Sequence, residues 1–220
     1  MTHVISAVIL MMIIGGVSMA NPEVYPLPGQ EKGVEGSLMD LLHHRRTVRD
    51  FSPQPVSLAA VGQLLWAAQG ISSPRGLRTA PSAGALYPLE LHLIAGAVAG
   101  LPAGHYRYLP RGHALQLIDP GDLREPIARA ALRQSWIAQA PALVVVSAVE
   151  ARTTGKYGSR GVRYVHMEVG HASQNLLLQA LAMGLGAATV GAFDDAALNR
   201  LLALPSGEQS LVILPFGQAR

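Results

Sequence analysis

Three guanidiniums and a hydroxyl stand within five residues at Arg45-Arg46-Thr47-Val48-Arg49. In an extended stretch Arg45, Thr47 and Arg49 point to one side, and two guanidinium forks flanking a hydroxyl suit a phosphate monoester. A solvated basic helix end that complements the macrodipole would use the same residues. A second stretch, Arg78-Thr79-Ala80-Pro81-Ser82-Ala83-Gly84-Ala85-Leu86-Tyr87-Pro88, is rich in small residues and precedes a strand, so its backbone can approach a flat ligand closely. Alone, it is only a loop. Lys156-Tyr157 sets an amine beside a phenol within Thr154-Gly155-Lys156-Tyr157-Gly158. Partial desolvation would favour the neutral amine and make the pair fit to move a proton; the other reading is a surface turn.

Other chemistries are excluded by residue type or context. With no cysteine, the chain has no disulfide, thiolate zinc site, iron–sulfur ligation or cysteine nucleophile. His43-His44 and His171 have no partners at metal-ligand spacing, which argues against a metal site. Ser82 lacks the G-x-S-x-G context of a hydrolase nucleophile. The net charge is +3 and the basic side is almost wholly arginine, Lys32 and Lys156 being the only lysines. The arginines are scattered apart from one cluster and aromatics make up 5% of the chain, which speaks against a nucleic-acid stacking platform. Trp66 and Trp136 read as core or dimer-contact residues.

The elements that must position these residues are mixed α and β. At 220 residues, half of them hydrophobic, the chain is the size of one ordered domain. Ser37 and Asp40 open a helix to about Arg45, and a second helix begins at Ser57, carries Leu58, Val61, Leu64, Leu65 and Ala68 on one face, and stops at Gly70. Leu89 to Ile94 reads as a strand, His105 to Leu109 and Ala114 to Ile118 as an antiparallel pair. Asp122 to Gln134 reads as a helix with Pro126 in its first turn, and Ala142 to Val149 as a strand buried on both faces in mid-sheet. Val162 to Gly184 is the longest helical pattern, followed by a strand from Ala187, a capped helix from Asp194 to Leu204 and a last strand from Ser210. No strand leads into G-x-G-x-x-G, so a Rossmann domain is not expected.

Residues 1–20 form a class of their own. They contain no Asp, Glu, Lys or Arg, and Val4 to Val17 is nearly continuously apolar. Small residues at Ser18-Met19-Ala20 precede Asn21-Pro22, the pattern of a secretion signal cleaved after Ala20. An uncleaved membrane anchor and a mistaken start are the alternatives; the expected location is outside the cytoplasm or at the membrane. Residues 21–36, with Pro22, Pro26 and Pro28, read as a leader arm before the domain at 37–220.

Arg45-Arg46-x-x-Arg49-x-Phe51 followed by Pro81-Ser82-Ala83-Gly84-Ala85-x-Tyr87-Pro88 resembles the nitroreductase superfamily, and more narrowly its SagB-type azoline dehydrogenase branch. The resemblance continues through Leu65-Trp66-Ala67-Ala68-Gln69-Gly70, Gly104-His105-Tyr106-Arg107-Tyr108, Lys156-Tyr157, Arg163-Tyr164, Gly170-His171, Gln174-Asn175 and Gly184-Leu185-Gly186 to Gly191-Ala192-Phe193-Asp194, covering nearly all of 37–220. It implies an α+β fold, a central mixed or antiparallel sheet flanked by helices, with FMN at a homodimer interface. It implies Arg45, Thr47 and Arg49 on the FMN phosphate and ribityl chain with Arg46 nearby, and Arg220 reaching the phosphate late in the fold. Pro81, Ser82, Ala83 and Gly84 would border the isoalloxazine ring, and Gly191 and Ala192 would present a backbone N–H to flavin N5. Many relatives carry asparagine where Ala85 stands, which removes one ring contact. Lys156 and Tyr157 match a pair implicated in taking the substrate proton. The implied activity is two-electron hydride transfer on a peptide azoline. An NAD(P)H-dependent nitro- or quinone-type reductase fits the fold equally, and a non-catalytic flavin-binding module is the other class.

Overall fold

A computed structural model describes residues 22–30 and 36–220. The signal or anchor reading of residues 1–20 lies outside the described residues. Strand β1 (Val24–Pro26) falls inside the segment read as a leader arm and pairs with a sheet edge. Helix α1 (Leu38–His44) is capped by Ser37, whose hydroxyl accepts from the Asp40 N–H at 3.2 Å. Strand β2 (Val56–Ser57) runs into α2 (Leu58–Gln69), where Ser57 plays the same role toward Ala60.

Strand β3 (Leu89–Ala95), the short β4 (Val98–Ala99) and the hairpin β5 (Gly104–Leu109) and β6 (Ala114–Pro120) follow. Then come α3 (Arg124–Ala130), α4 (Trp136–Gln139), β7 (Ala142–Ala148), α5 (Ala151–Tyr157) and α6 (Arg160–Ala182). The chain finishes with β8 (Gly186–Ala187), α7 (Asp195–Leu201) and β9 (Gln209–Gly217). Helix α3 is shorter than the expected 122–134 because Leu132 and Arg133 take φ of 54° and 60°, outside helical geometry.

The main sheet has seven strands in the order β1-β6-β5-β3-β7-β9-β8, and every pairing in it is antiparallel. Strands β2 and β4 form a separate parallel pair. The mid-sheet placement of β7 explains its unbroken apolar run: Val144 and Val146 join a core with Leu64, Leu65, Val165 and Leu176, while Leu143 and Val145 join a second core with Ile127, Ile137 and Leu198. Helices α2 and α6 therefore cover one face of the sheet, and α3, α4 and α7 the other. Among the described residues no helix is long and apolar enough to cross a membrane.

Candidate functional site

Beyond β8, the segment after α1 lies along the sheet edge. Thr47 bridges Ala187 in parallel, and the Val48 N–H donates to the Ala187 carbonyl at 3.1 Å. The chain end returns to the same place: the Arg220 N–H donates to the Asp50 carbonyl, and its guanidinium is 3.7 Å from the Asp50 carboxylate. Arg45, Arg46, Thr47, Arg49 and Arg220 are thus gathered on one edge.

They do not all face one way. Arg45 and Arg46 border a cavity of about 220 Å3 with Val48, Leu177, Leu181 and Gly186, whereas Arg49 lies 5.7 Å from the centre of the Trp136 ring. Thr47 and Arg49 are not among the residues lining that cavity. Arg46 also closes the end of α1 by donating to the carbonyls of His43 and Arg45. Among the described residues Arg45, Arg46 and Arg49 form no ion pair.

The small-residue loop is a folded turn built on Ser82, whose carbonyl accepts from the Ala85 N–H and whose hydroxyl accepts from the Tyr87 N–H at 2.9 Å. Gly84 sits at φ 61°, in the left-handed region, with Ala85 and Tyr87 also at positive φ. The Ala83 N–H donates to Glu168 Oε1 at 2.9 Å; Glu168 is 2% exposed and its second oxygen has no partner among the described residues. Pro81, Ser82 and Ala83 with Tyr164, Met167, Glu168 and His171 enclose about 240 Å3.

Lys156 and Tyr157 meet this loop. A Cβ added to Gly84 would lie 2.8 Å from the Tyr157 hydroxyl and 3.0 Å from Lys156 Nζ. Lys156 and Tyr157 end α5 instead of forming a turn, and only Gly158 beyond them turns to positive φ; Lys156 is exposed and Tyr157 half-buried, so the pair lies at the surface as the second reading of 154–158 has it. The Tyr157 ring stands edge-on to Tyr164 at 5.2 Å, and Lys156 Nζ lies 5.4 Å from the centre of its neighbour's ring.

Gly191 and Ala192 follow Val190, which bridges Ile213 on the outer side of β9. Both are exposed, and a Cβ on Gly191 would meet nothing within 4 Å, so the main chain there is open to a flat molecule. The basic edge borders the C-terminal half of α6 and the Ser82 loop its N-terminal half. From Glu168 to Leu181 is 181 − 168 = 13 residues, about 20 Å along the helix.

A buried polar network that sequence reading missed underlies α5. His92 Nε2 lies 2.8 Å from Glu208 Oε1, the Ser147 hydroxyl donates to the same oxygen at 2.6 Å, and His92 Nδ1 meets His105 Nε2 at 2.8 Å. Arg107 joins Glu208 to Glu90, and Arg152 on α5 binds Glu90 at 2.6 Å. Burial pushes the Glu208 carboxyl up, but hydrogen bonds from His92 and Ser147 and the charges of His92 and Arg107 outweigh it and hold the group at about 2. Burial, with His92 and Arg107 adding to it, lowers His105 to about 3. Glu90 and His92 looked like ordinary alternating strand positions, and nothing local marks their partners. Among the described residues no group of three or more His, Cys, Asp or Glu side chains could hold a metal ion.

Residues 42–218 match the sequence model of the Nitroreductase family. A protein of Methanocaldococcus jannaschii that carries a nitroreductase name is 42% identical over 184 residues, which is 84% of this chain and 92% of the relative. A crystal structure from Ralstonia eutropha, also named as a nitroreductase, superposes with a TM-score of 0.80 at 28% identity, covering 90% of both chains. The Escherichia coli microcin synthetase McbBCD complex with truncated pro-MccB17 bound superposes with a TM-score of 0.70 over 98% of this chain and 85% of the matched one. At 24% identity that likeness shows the fold alone.

Proposed function

The chain belongs to the nitroreductase family of oxidoreductases, and from that premise we propose that it is an FMN-dependent homodimer with the proton chemistry of a SagB-type dehydrogenase. The observation that carries the reading is the meeting of Lys156 Nζ and the Tyr157 hydroxyl at Gly84, in the loop assigned to the ring. The chain's own residues fit the cofactor. Arg45 and Arg49, which form no ion pair among the described residues, suit its phosphate, and the open backbone at Gly191 suits a ring lying flat. Two chains answer the roughly 20 Å between the basic edge and the Ser82 loop, since a partner's loop can close the site that one chain leaves divided.

When bound, FMN supplies two-electron chemistry, exchanging a hydride at N5. On the basic edge Arg45 would hold the phosphate end from its cavity and Arg49 from the Trp136 side, with Thr47 between them and Arg220 beside them on Asp50. Pro81 to Gly84 fix the rim of the ring pocket, held in place by Glu168 through the Ala83 N–H. Oxidising an azoline releases a proton along with the hydride. Lys156 Nζ takes that proton, and the Tyr157 hydroxyl orients the amine.

The relatives' nitroreductase names favour a second reading, which we take as a nitro- or quinone-type reductase drawing on NAD(P)H. Lys156→Ala separates the two. It should keep flavin content while azoline oxidation falls about 10²–10⁴-fold, the usual worth of a positioned acid–base group. Tyr157→Phe should lose less. Anaerobic bleaching of the flavin by a nicotinamide donor needs no such base and should survive both changes. A yellow wild-type protein that bleaches with NAD(P)H and has no oxidation for Lys156→Ala to remove decides for the reductase.

A further inference from the structure

We propose that the groove between the turn at 71–78 and the β5–β6 hairpin seats an anionic group, a phosphate or carboxylate, on the molecule that exchanges electrons beside Lys156. The location next to the reacting end rests on the flavin reading; the groove rests on its own residues. It encloses about 890 Å3, the size of a pocket for a small organic ligand rather than a lone ion, and Arg75, Arg78, Arg111 and Arg152 line it with Tyr87 and Tyr108. Glu90, the one acidic residue in its wall, is already bound by Arg107 at 3.3 Å and by Arg152 at 2.6 Å. Among the described residues Arg75, Arg78 and Arg111 form no ion pair.

Arg78 carries the argument. Its side chain donates to Gln69 Oε1 at 2.9 Å and lies 4.7 Å over the Tyr87 ring, a half-buried position in which desolvation weighs against its charge. The Glu90 carboxylate favours that charge but is already engaged by Arg107 and Arg152, and an incoming oxyanion supplies the forked contact that Arg78 does not make with it. Tyr87 also ends the Ser82 loop, and its carbonyl accepts from Arg152 at 3.1 Å. Arg152 stands one turn before Lys156 on α5. An anion held here sits at one end of a molecule whose other end lies at Lys156 Nζ.

Calorimetric titration of FMN-saturated protein with inorganic pyrophosphate and, separately, with citrate at low salt tests this. Filling the flavin site removes the Arg45 edge as a competing anion site. Wild type should show saturable binding. The double substitution Arg75→Glu and Arg111→Glu, at two exposed positions that leave the fold alone, should weaken it at least about tenfold, as should Arg78→Gln. Tighter pyrophosphate points to a phosphate-bearing ligand and tighter citrate to a carboxylate-bearing one, and either supports the groove. No saturable binding at millimolar concentration, or binding unchanged in both variants, overturns it. A protein that holds no FMN but binds pyrophosphate in a manner lost with Arg75 and Arg111 and indifferent to Arg45→Ala leaves the groove standing and removes the flavin reading. A protein that retains FMN and binds neither anion removes the groove alone.

Discussion

Replacing Gly84 by alanine perturbs the meeting of loop and helix with a single methyl group. At φ 61° an alanine costs about 1–2 kcal/mol of backbone strain. The new Cβ would stand 2.8 Å from the Tyr157 hydroxyl and 3.0 Å from Lys156 Nζ, where ordinary contact begins at 3.4 Å, so the hydroxyl must retreat by 3.4 − 2.8 = 0.6 Å. Both neighbours are the far ends of side chains, and they yield before the loop does. Stability should therefore fall by little more than the backbone cost, about 2–8 °C in melting temperature for a chain of this size. The displacement lands on the proton-accepting pair, and a misplacement approaching 1 Å there should cost substrate oxidation about 10–10²-fold. Activity and melting of Gly84→Ala, Tyr157→Phe and the double variant form a cycle that isolates the contact. Without the hydroxyl, Gly84→Ala should cost its backbone strain and little further activity. Strict additivity of the two substitutions in oxidation rate would refute the contact.

Arg45→Ala or Arg49→Ala should weaken FMN retention at least tenfold, since a charge-assisted phosphate contact contributes about 1.5–3 kcal/mol; fluorescence titration showing unchanged affinity in both would remove the phosphate assignment. The buried network should make the protein acid-sensitive. Folded His105 stays neutral to about 3 against an ordinary 6.5, so its contribution is full above 6.5 and is lost as pH falls toward 3. Glu208, ionised to about 2 against 4.5, contributes fully above 4.5 and loses that contribution below it. Thermal melts should be flat near neutrality and fall from pH 6.5 downward, and a melting temperature constant from pH 7 to 4 would contradict the network. Fractionation with N-terminal sequencing should find the chain outside the cytoplasm, or at the membrane if uncleaved, starting at Asn21 when released; a soluble cytoplasmic chain beginning at Met1 would exclude the signal reading.

Elements whose signals are local were legible in the sequence. Ser37 and Ser57 cap α1 and α2 through their own hydroxyls, and the length of α6 follows from its apolar spacing. The basic edge was legible as a cluster because its residues are adjacent, but the direction of Arg49 was not, because the Trp136 ring that holds it comes from α4. Helix α5 was ambiguous because Thr153, Thr154 and Gly155 are poor helix formers. It exists through packing on α6, where Gly161 permits close approach, since a Cβ there would strike the Thr154 backbone. The His92–Glu208 pair spans 116 positions and no spacing rule finds it. Strand β1 hides among prolines because an edge position spares its Pro26 from a full ladder.

Strand β9 lies inside the sheet, between β7 and β8, yet it is the last of the described strands to be synthesised. Translation proceeds at about 5–20 residues per second, and until residues 209–217 emerge, β7 has no neighbour on that side. Ile213 and Leu214, one for each core, are also missing until then. Both of β7's pairings reach far along the chain, Leu89 with Ala148 and Val144 with Leu214, and such pairings form slowly. Until β9 arrives, β7 is an open strand edge in the middle of the sheet with both cores incomplete, and an unpaired edge of that kind is where a folding chain pairs wrongly with another.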